Sequence, residues 1–174
     1  MKKTYRKIIG ILFICLMTYM GLKVINKMKE KNKIENQIAT IPEFNFLQLN
    51  GANYSNLSLP KEKTIVFIYL YSECEFCQHE AENISENLDI FKNVQLIFVS
   101  TEPIETIKQF SKQYNLNNKQ NIILLYDNLD TFSSLFDAKS IPYVLIYDQN
   151  QKLIKKHKGQ LNAKGILRAL QENG

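Results

Sequence analysis

The sequence predicts an α/β domain built on a mixed sheet, with a separate apolar helix ahead of it. Three observations lead there. Residues 64–71 run for eight positions without a charge and are rich in β-branched and aromatic types, as a central strand buried on both faces should be. Directly after this run, Cys74-Glu75-Phe76-Cys77 opens a stretch in which Ala81, Ile84, Leu88 and Phe91 recur at steps of three and four, one face of a helix. Further apolar runs then alternate with amphipathic ones and end in a hairpin and a last helix, so parallel and antiparallel pairing should share one sheet flanked by helices.

The N-terminal arm stands apart by charge. The chain of 174 residues carries a net charge of +5, but residues 1–33 hold nine Lys or Arg against one Glu, and residues 34–174 hold thirteen against sixteen. The arm is therefore +8 and the domain −3, which argues against nucleic-acid binding by the domain. Residues 8–22 are uncharged, and if Lys23 snorkels the apolar span reaches Ile25, about the lower limit for crossing a bilayer. Residues 1–25 are accordingly expected to form a transmembrane anchor. A cleaved signal peptide competes with this, although no small-x-small site follows the run. Lysines stand on both sides of the span, so charge bias does not orient it. Residues 26–41 read as a polar, Lys-rich stalk and 42–174 as the folded domain. Cys15 within the span reads as a small apolar side chain in lipid, since Phe13 and Ile14 are unlike the small residues of a lipoprotein signal.

Within the domain, Phe44, Phe46 and Leu49 with Gly51 predict a short strand and turn, and residues 53–63 a loop into the central strand. Residues 94–100 make a second buried strand. Pro103 starts a helix whose apolar face is Ile104, Ile107, Phe110 and Tyr114. Residues 121–126 form a third strand, residues 131–138 a short helix, and Ser140-Ile141-Pro142 leads into a strand over 143–147. Residues 148–151 turn the chain, 152–157 form an antiparallel partner, and a helix over 162–171 closes the domain.

The chemistry centres on the two cysteines. At a strand-to-helix junction the first sulfur lies at a helix N-terminus, where unpaired N–H groups and the positive end of the dipole favour a thiolate. The second lies one turn on, close enough for a disulfide to open and close. With Cys15 in the arm, no structural disulfide framework remains. A zinc site would need about two further ligands, and only His79 and His157 are at hand, each reading as an exposed side chain. The tyrosines and phenylalanines have core spacing and imply no cofactor.

These residues resemble a known family. Pro42-Glu43-Phe44, Leu49-Asn50-Gly51, the strand into Cys74-Glu75-Phe76-Cys77, Glu80 three residues later and Ile141-Pro142 before a strand are similar to the thioredoxin fold. Within it they look like the membrane-anchored TlpA/ResA-like thiol–disulfide oxidoreductases, and the likeness extends to the N-terminal anchor. The resemblance implies a nucleophilic Cys74, a resolving Cys77 that forms the redox-active disulfide with it, and Glu80 moving protons between thiols. It implies a cis bond before Pro142, close to the disulfide, with Ile141, Pro142, Glu75 and Phe76 meeting the partner chain. By the same analogy the domain lies outside the cytoplasm and acts without a cofactor on protein disulfides, such as the C-x-x-C-H cysteines of cytochrome c in maturation. A membrane electron donor would recharge it. The chain departs from the family pattern at Glu73, where an aromatic is usual, and at Phe76, where proline is common. Glu73 and Glu75 oppose ionisation of Cys74 by like charge, and no unusual thiolate stabiliser is visible, which points to a reductant. A thiol oxidase or isomerase of the same fold and a metal-binding chaperone using the cysteine pair remain the alternatives.

Overall fold

In a computed structural model, the backbone is described for residues 2–172 and the side chains for residues 16–172. Two units result, Met1–Asn36 and Gln37–Gly174. A single helix α1, Lys2–Ile38, covers most of the expected anchor and stalk. Leu16, Met17, Tyr19, Met20, Leu22, Val24 and Ile25 are each half or more exposed. Among the described residues no helix is long and apolar enough to cross a membrane. Much of the span expected from residue 8 to 25, with Cys15, lies outside the described side chains.

The second unit is an α/β domain around a seven-stranded sheet. Its strands are β1 (Asn45–Gln48), β2 (Asn53–Ser55), β3 (Thr64–Tyr69), β4 (Val94–Ser100), β5 (Ile122–Tyr126), β6 (Tyr143–Tyr147) and β7 (Leu153–Lys158), in the spatial order β2-β1-β5-β4-β3-β6-β7. The central pairs β3–β4 and β4–β5 are parallel, and the outer pairings are antiparallel. Helices α2 (Glu75–Glu86), α3 (Ile104–Gln113), α4 (Phe132–Leu135) and α5 (Ala163–Glu172) connect and cover it. The mixed sheet flanked by helices is the architecture the residue pattern predicts.

The two-sided burial of β3 splits its side chains between two cores, because successive residues of a strand face opposite ways. Ile65, Phe67 and Tyr69 join Phe44, Phe46, Phe132, Phe136, Tyr143 and Tyr147 on one face. Val66, Ile68 and Leu70 join Cys77, Ala81, Ile84, Leu96, Phe98 and Ile166 on the other. Ile38, in the stretch read as stalk, belongs to the first core, and Gln37 Nε2 donates to the carbonyls of Ser134 and Leu135 at 3.0 and 2.7 Å.

Three local expectations change. Residues 53–55, read as loop, form β2 against β1; three residues with only Tyr54 buried are too short for alternation to show. The redox helix is shorter than its apolar spacing implies. It stops at Glu86, capped by Asn87, whose Nδ2 donates to the Asn83 carbonyl at 2.8 Å, and Leu88–Phe91 is a separate 3-10 turn. The helix expected over 131–138 contracts to α4, where Asp127 caps its start by accepting from Phe132 N at 2.7 Å and left-handed Asp137 ends it.

Phe67 is the centre of the aromatic core, with ring centroids 5.0 Å from Phe136, 5.6 Å from Phe44, 6.0 Å from Phe132 and 6.1 Å from Tyr147. Phe67→Ala is expected to lower unfolding free energy by about 3–5 kcal/mol in a denaturant titration. Leu57→Ala, at a side chain 98% exposed, should stay within about 0.5 kcal/mol of the parent.

Candidate active site at the β3–α2 junction

The parallel strands β3, β4 and β5 end together, and the loop leaving β3 brings residues 70–74 to that edge. Cys74 is the residue before the first helical one, with extended backbone, and no side chain caps this helix end. Its carbonyl accepts Cys77 N at 2.9 Å and Gln78 N at 3.0 Å, which starts α2. The first N–H groups of the helix are therefore left for a sulfur or a partner to use. Cys74 is half-buried and Cys77 fully buried, and both are free thiols. Burial pushes the Cys77 thiol well above its ordinary range, with a hydrogen bond to the Cys74 thiol and the Glu80 charge adding to the effect.

Glu80 lies one turn beyond Cys77 on α2, and none of its side chain reaches solvent. Glu80 Oε1 accepts the Leu161 N–H at 3.1 Å, from the segment that enters α5, while Oε2 is buried without a hydrogen-bond partner. Desolvation raises its pKa to about 8, against a smaller lowering by the Leu161 N–H. Although surface helices commonly carry solvated glutamates, this one is out of water.

Pro142 is buried one residue before β6, and the Ile141-Pro142 bond is cis. Antiparallel pairing puts Tyr143 opposite Tyr69, the last residue of β3, so Pro142 reaches the same sheet edge as the loop to Cys74. Gly159 N donates to the Pro142 carbonyl at 2.9 Å, and Gly159 takes φ +87, a left-handed value that side chains rarely adopt. Ile141 and Cys74 both border the core cluster that contains Cys77. Glu73, Glu75 and Phe76 are exposed, Phe76 at 62%. His79 lies 3.8 Å from Glu75 and 4.0 Å from Glu82 on the solvent side of α2. His157 is on β7, within 3.2 Å of the Gln160 carbonyl. Among the described residues no group of three or more His, Cys, Asp or Glu could hold a metal ion. A cleft of about 510 Å³, lined by Lys63, Lys92 and Lys119, lies at the opposite end of the sheet from the thiols.

Sequence reasoning missed Ser72, Gln78 and Glu102. Glu102 follows β4 and accepts from Ser72 N at 2.7 Å and Ser72 Oγ at 2.6 Å, and Gln78 Nε2 donates to the Ser72 carbonyl at 2.7 Å. Ser72 and Glu102 are thirty residues apart, and only the parallel register of β3 and β4 brings them together. No motif carries that signal.

Residues 39–170 match the AhpC/TSA family. No curated protein matches the chain. Among solved structures, a secreted Mycobacterium tuberculosis disulfide oxidoreductase homologous to E. coli DsbE is similar at 19% identity and TM-score 0.62, over 79% of this chain and 98% of that one. StoA from Bacillus subtilis is similar at 15% identity and TM-score 0.60, over 76% and 98%. The peroxidoxin BcpB from Mycobacterium tuberculosis is similar at 17% identity and TM-score 0.66, over 76% and 94%. At these identities the likeness carries the fold.

A carboxyl whose folded pKa is about 8 keeps its proton where the unfolded chain, near 4.5, has lost it. The native state then binds more protons than the unfolded one, so Glu80 makes stability fall as pH rises from about 4.5 to about 8. Glu80→Gln should flatten that part of the curve and exceed the parent in stability above pH 8, by on the order of 5 kcal/mol. Chemical denaturation across pH 4–9 measures both slopes, and equal slopes in the two proteins would place the carboxyl in water.

Proposed function

The chain belongs to the AhpC/TSA family and is a thiol–disulfide oxidoreductase of thioredoxin fold, and from that premise we propose that it is a membrane-anchored, extracytoplasmic reductant of protein disulfides. The observation that carries this reading is the graded depth of three groups along one helix. Cys74 is within reach of a partner, while Cys77 and Glu80 behind it are out of water.

In the proposed cycle the Cys74 thiolate attacks one sulfur of a partner disulfide, forming a mixed disulfide and releasing the partner's other sulfur as a thiolate, which takes a proton from solvent. Cys77 gives its proton to Glu80 in its ionised form, which becomes populated as pH approaches about 8, and attacks the Cys74 sulfur. The bond between Cys74 and the partner breaks as the Cys74–Cys77 bond forms, and the second partner sulfur leaves as a thiolate and is protonated in turn. The partner gains two electrons and the cysteine pair loses two. Proximity makes the second attack unimolecular. A carboxyl with pKa about 8 is matched to that proton transfer near neutral pH. Exposed Phe76 and Glu75, with Ile141 and Pro142 at the same edge, offer the surface for the partner chain.

The proposed direction of electron flow is toward the partner. A strongly oxidising pair rests on a stabilised reduced thiolate, whereas here burial and the Glu80 charge hold the Cys77 thiol up. With Glu73 and Glu75 beside Cys74 as like charges, this is in keeping with a dithiol that gives up its electrons. The uncharged run over residues 8–22, with lysines on both sides, supports a transmembrane anchor. An anchored reductant outside the cytoplasm needs a membrane electron donor. Its substrates would be envelope proteins whose cysteines must be kept reduced, among them the haem-binding C-x-x-C-H pair of cytochrome c in maturation.

Equilibration with glutathione buffers should give the Cys74/Cys77 pair a potential nearer roughly −270 mV than roughly −120 mV, and a value at the upper end would make the protein an oxidant. In cells, Cys77→Ala should hold its substrate on Cys74 as a mixed disulfide, whose identification by mass spectrometry tests the substrate class directly. The rate of disulfide reduction should show an inflection near pH 8 that Glu80→Gln lacks.

A further inference from the structure

Ser72 stands two residues before Cys74, and all three of its polar groups are engaged. Its N–H and hydroxyl donate to the two oxygens of Glu102 at 2.7 and 2.6 Å, and its carbonyl accepts from Gln78 Nε2 at 2.7 Å. Glu102 is fixed in turn. Its Oε2 accepts from Ser100 Oγ at 3.1 Å, and its own N–H donates to that same hydroxyl at 3.2 Å, Ser100 being buried in the last position of β4. Gln78 follows Cys77 directly. The peptide on the far side of both cysteines is thus tied back to the residue ahead of them, and that residue is tied to the neighbouring strand. Two further bonds hold the same loop to β4 and the residue that follows it, Leu70 N to the Val99 carbonyl at 3.0 Å and Thr101 Oγ1 to Tyr71 OH at 3.1 Å.

The carboxylate of Glu102 accepts three donors, all from uncharged groups. Water could satisfy a half-exposed loop N–H and a serine hydroxyl without a glutamate. A bidentate acceptor on a rigid strand end adds restriction of the loop. Attack of Cys77 on the Cys74 sulfur of a mixed disulfide needs the three sulfurs nearly in line, with the partner sulfur leaving, so freedom in residues 71–73 lowers the effective molarity of Cys77.

From this geometry we infer that Glu102, acting through Ser72 and together with Gln78, is a positioning residue that holds Cys74 against Cys77 and so sets the rate of partner release and the stability of the Cys74–Cys77 disulfide. The inference rests on the thiol-exchange reading above. It assigns Glu102 no contact with the partner and no proton.

Ser72→Ala, Gln78→Leu and Glu102→Gln test it in the full chain, each checked for folding by circular dichroism and thermal melting. Three quantities are measured: the potential in glutathione buffers, the rate at which a mixed disulfide between Cys74 and a model peptide resolves, and the rate of Cys74 alkylation by iodoacetamide. Each variant should slow resolution by about tenfold and raise the potential by about 30 mV, the equivalent of a tenfold loss of effective molarity. Alkylation should change less than about threefold. Ser72→Ala and Gln78→Leu keep the Glu102 charge, so they carry the test even if Glu102→Gln fails to fold. Loss of that charge alone would ease thiolate formation and speed resolution, the opposite sign. Unchanged potential and resolution in Ser72→Ala and Gln78→Leu, or equal losses of alkylation and resolution, overturn the positioning role. If the parent protein forms no Cys74–Cys77 disulfide in these buffers, the thiol-exchange reading falls and the positioning role with it.

Discussion

A chain that passes from a buried strand straight into a helix must leave the first N–H groups of that helix without partners inside it. At the β3–α2 junction this happens at the edge of the sheet, with Cys74 in the position before the helix and no side chain closing the end. Because β3 is central and packed on both faces, the junction cannot move without opening two cores at once. The site is precise because it stands on a strand held from both faces.

The helix that begins there runs inward, and its residues pass from water to core within two turns. Glu75 and Phe76 are exposed, Cys77 is buried, and Glu80 lies out of water against the segment that leads into α5. Depth along α2 therefore grades the chemistry, with a sulfur in reach of a partner, a sulfur held protonated and a carboxyl whose ionisation is costly. Placing a carboxyl in the core weakens the fold at neutral and higher pH. In the proposed cycle that cost is the condition for a proton carrier beside two thiols, since a solvated glutamate would be ionised throughout the physiological range. The same strap touches the other side of the site, because Gly159 donates to the Pro142 carbonyl two residues before Leu161 donates to Glu80.

What could be seen beforehand follows from how short-range each signal is. Strands β3, β4 and β6 were legible because they are uninterrupted apolar runs, which is what burial on both faces demands of a sequence. The two cysteines and their helix were legible because spacing and periodicity are local. The end of α2 was not: Leu88 and Phe91 keep helical spacing, but Asn87 breaks the backbone and a 3-10 turn restores their burial by another route. Strand β2 was not legible either, since three polar-flanked residues become a strand only because β1 offers a partner.

By itself, the sequence determined the fold class, the cysteine pair at a strand-to-helix junction, the charge contrast between arm and domain, and Glu80 as a candidate. Those properties are written in contiguous residues, whose patterning local physics must obey. Only the tertiary structure decided that Glu80 is fully buried and accepts from Leu161, eighty-one residues away, and that Pro142 meets the same edge as Cys74. Only it joined Glu102 to Ser72. Burial of a polar group and pairing across strands depend on which distant segments share a register, and no spacing along the chain encodes that.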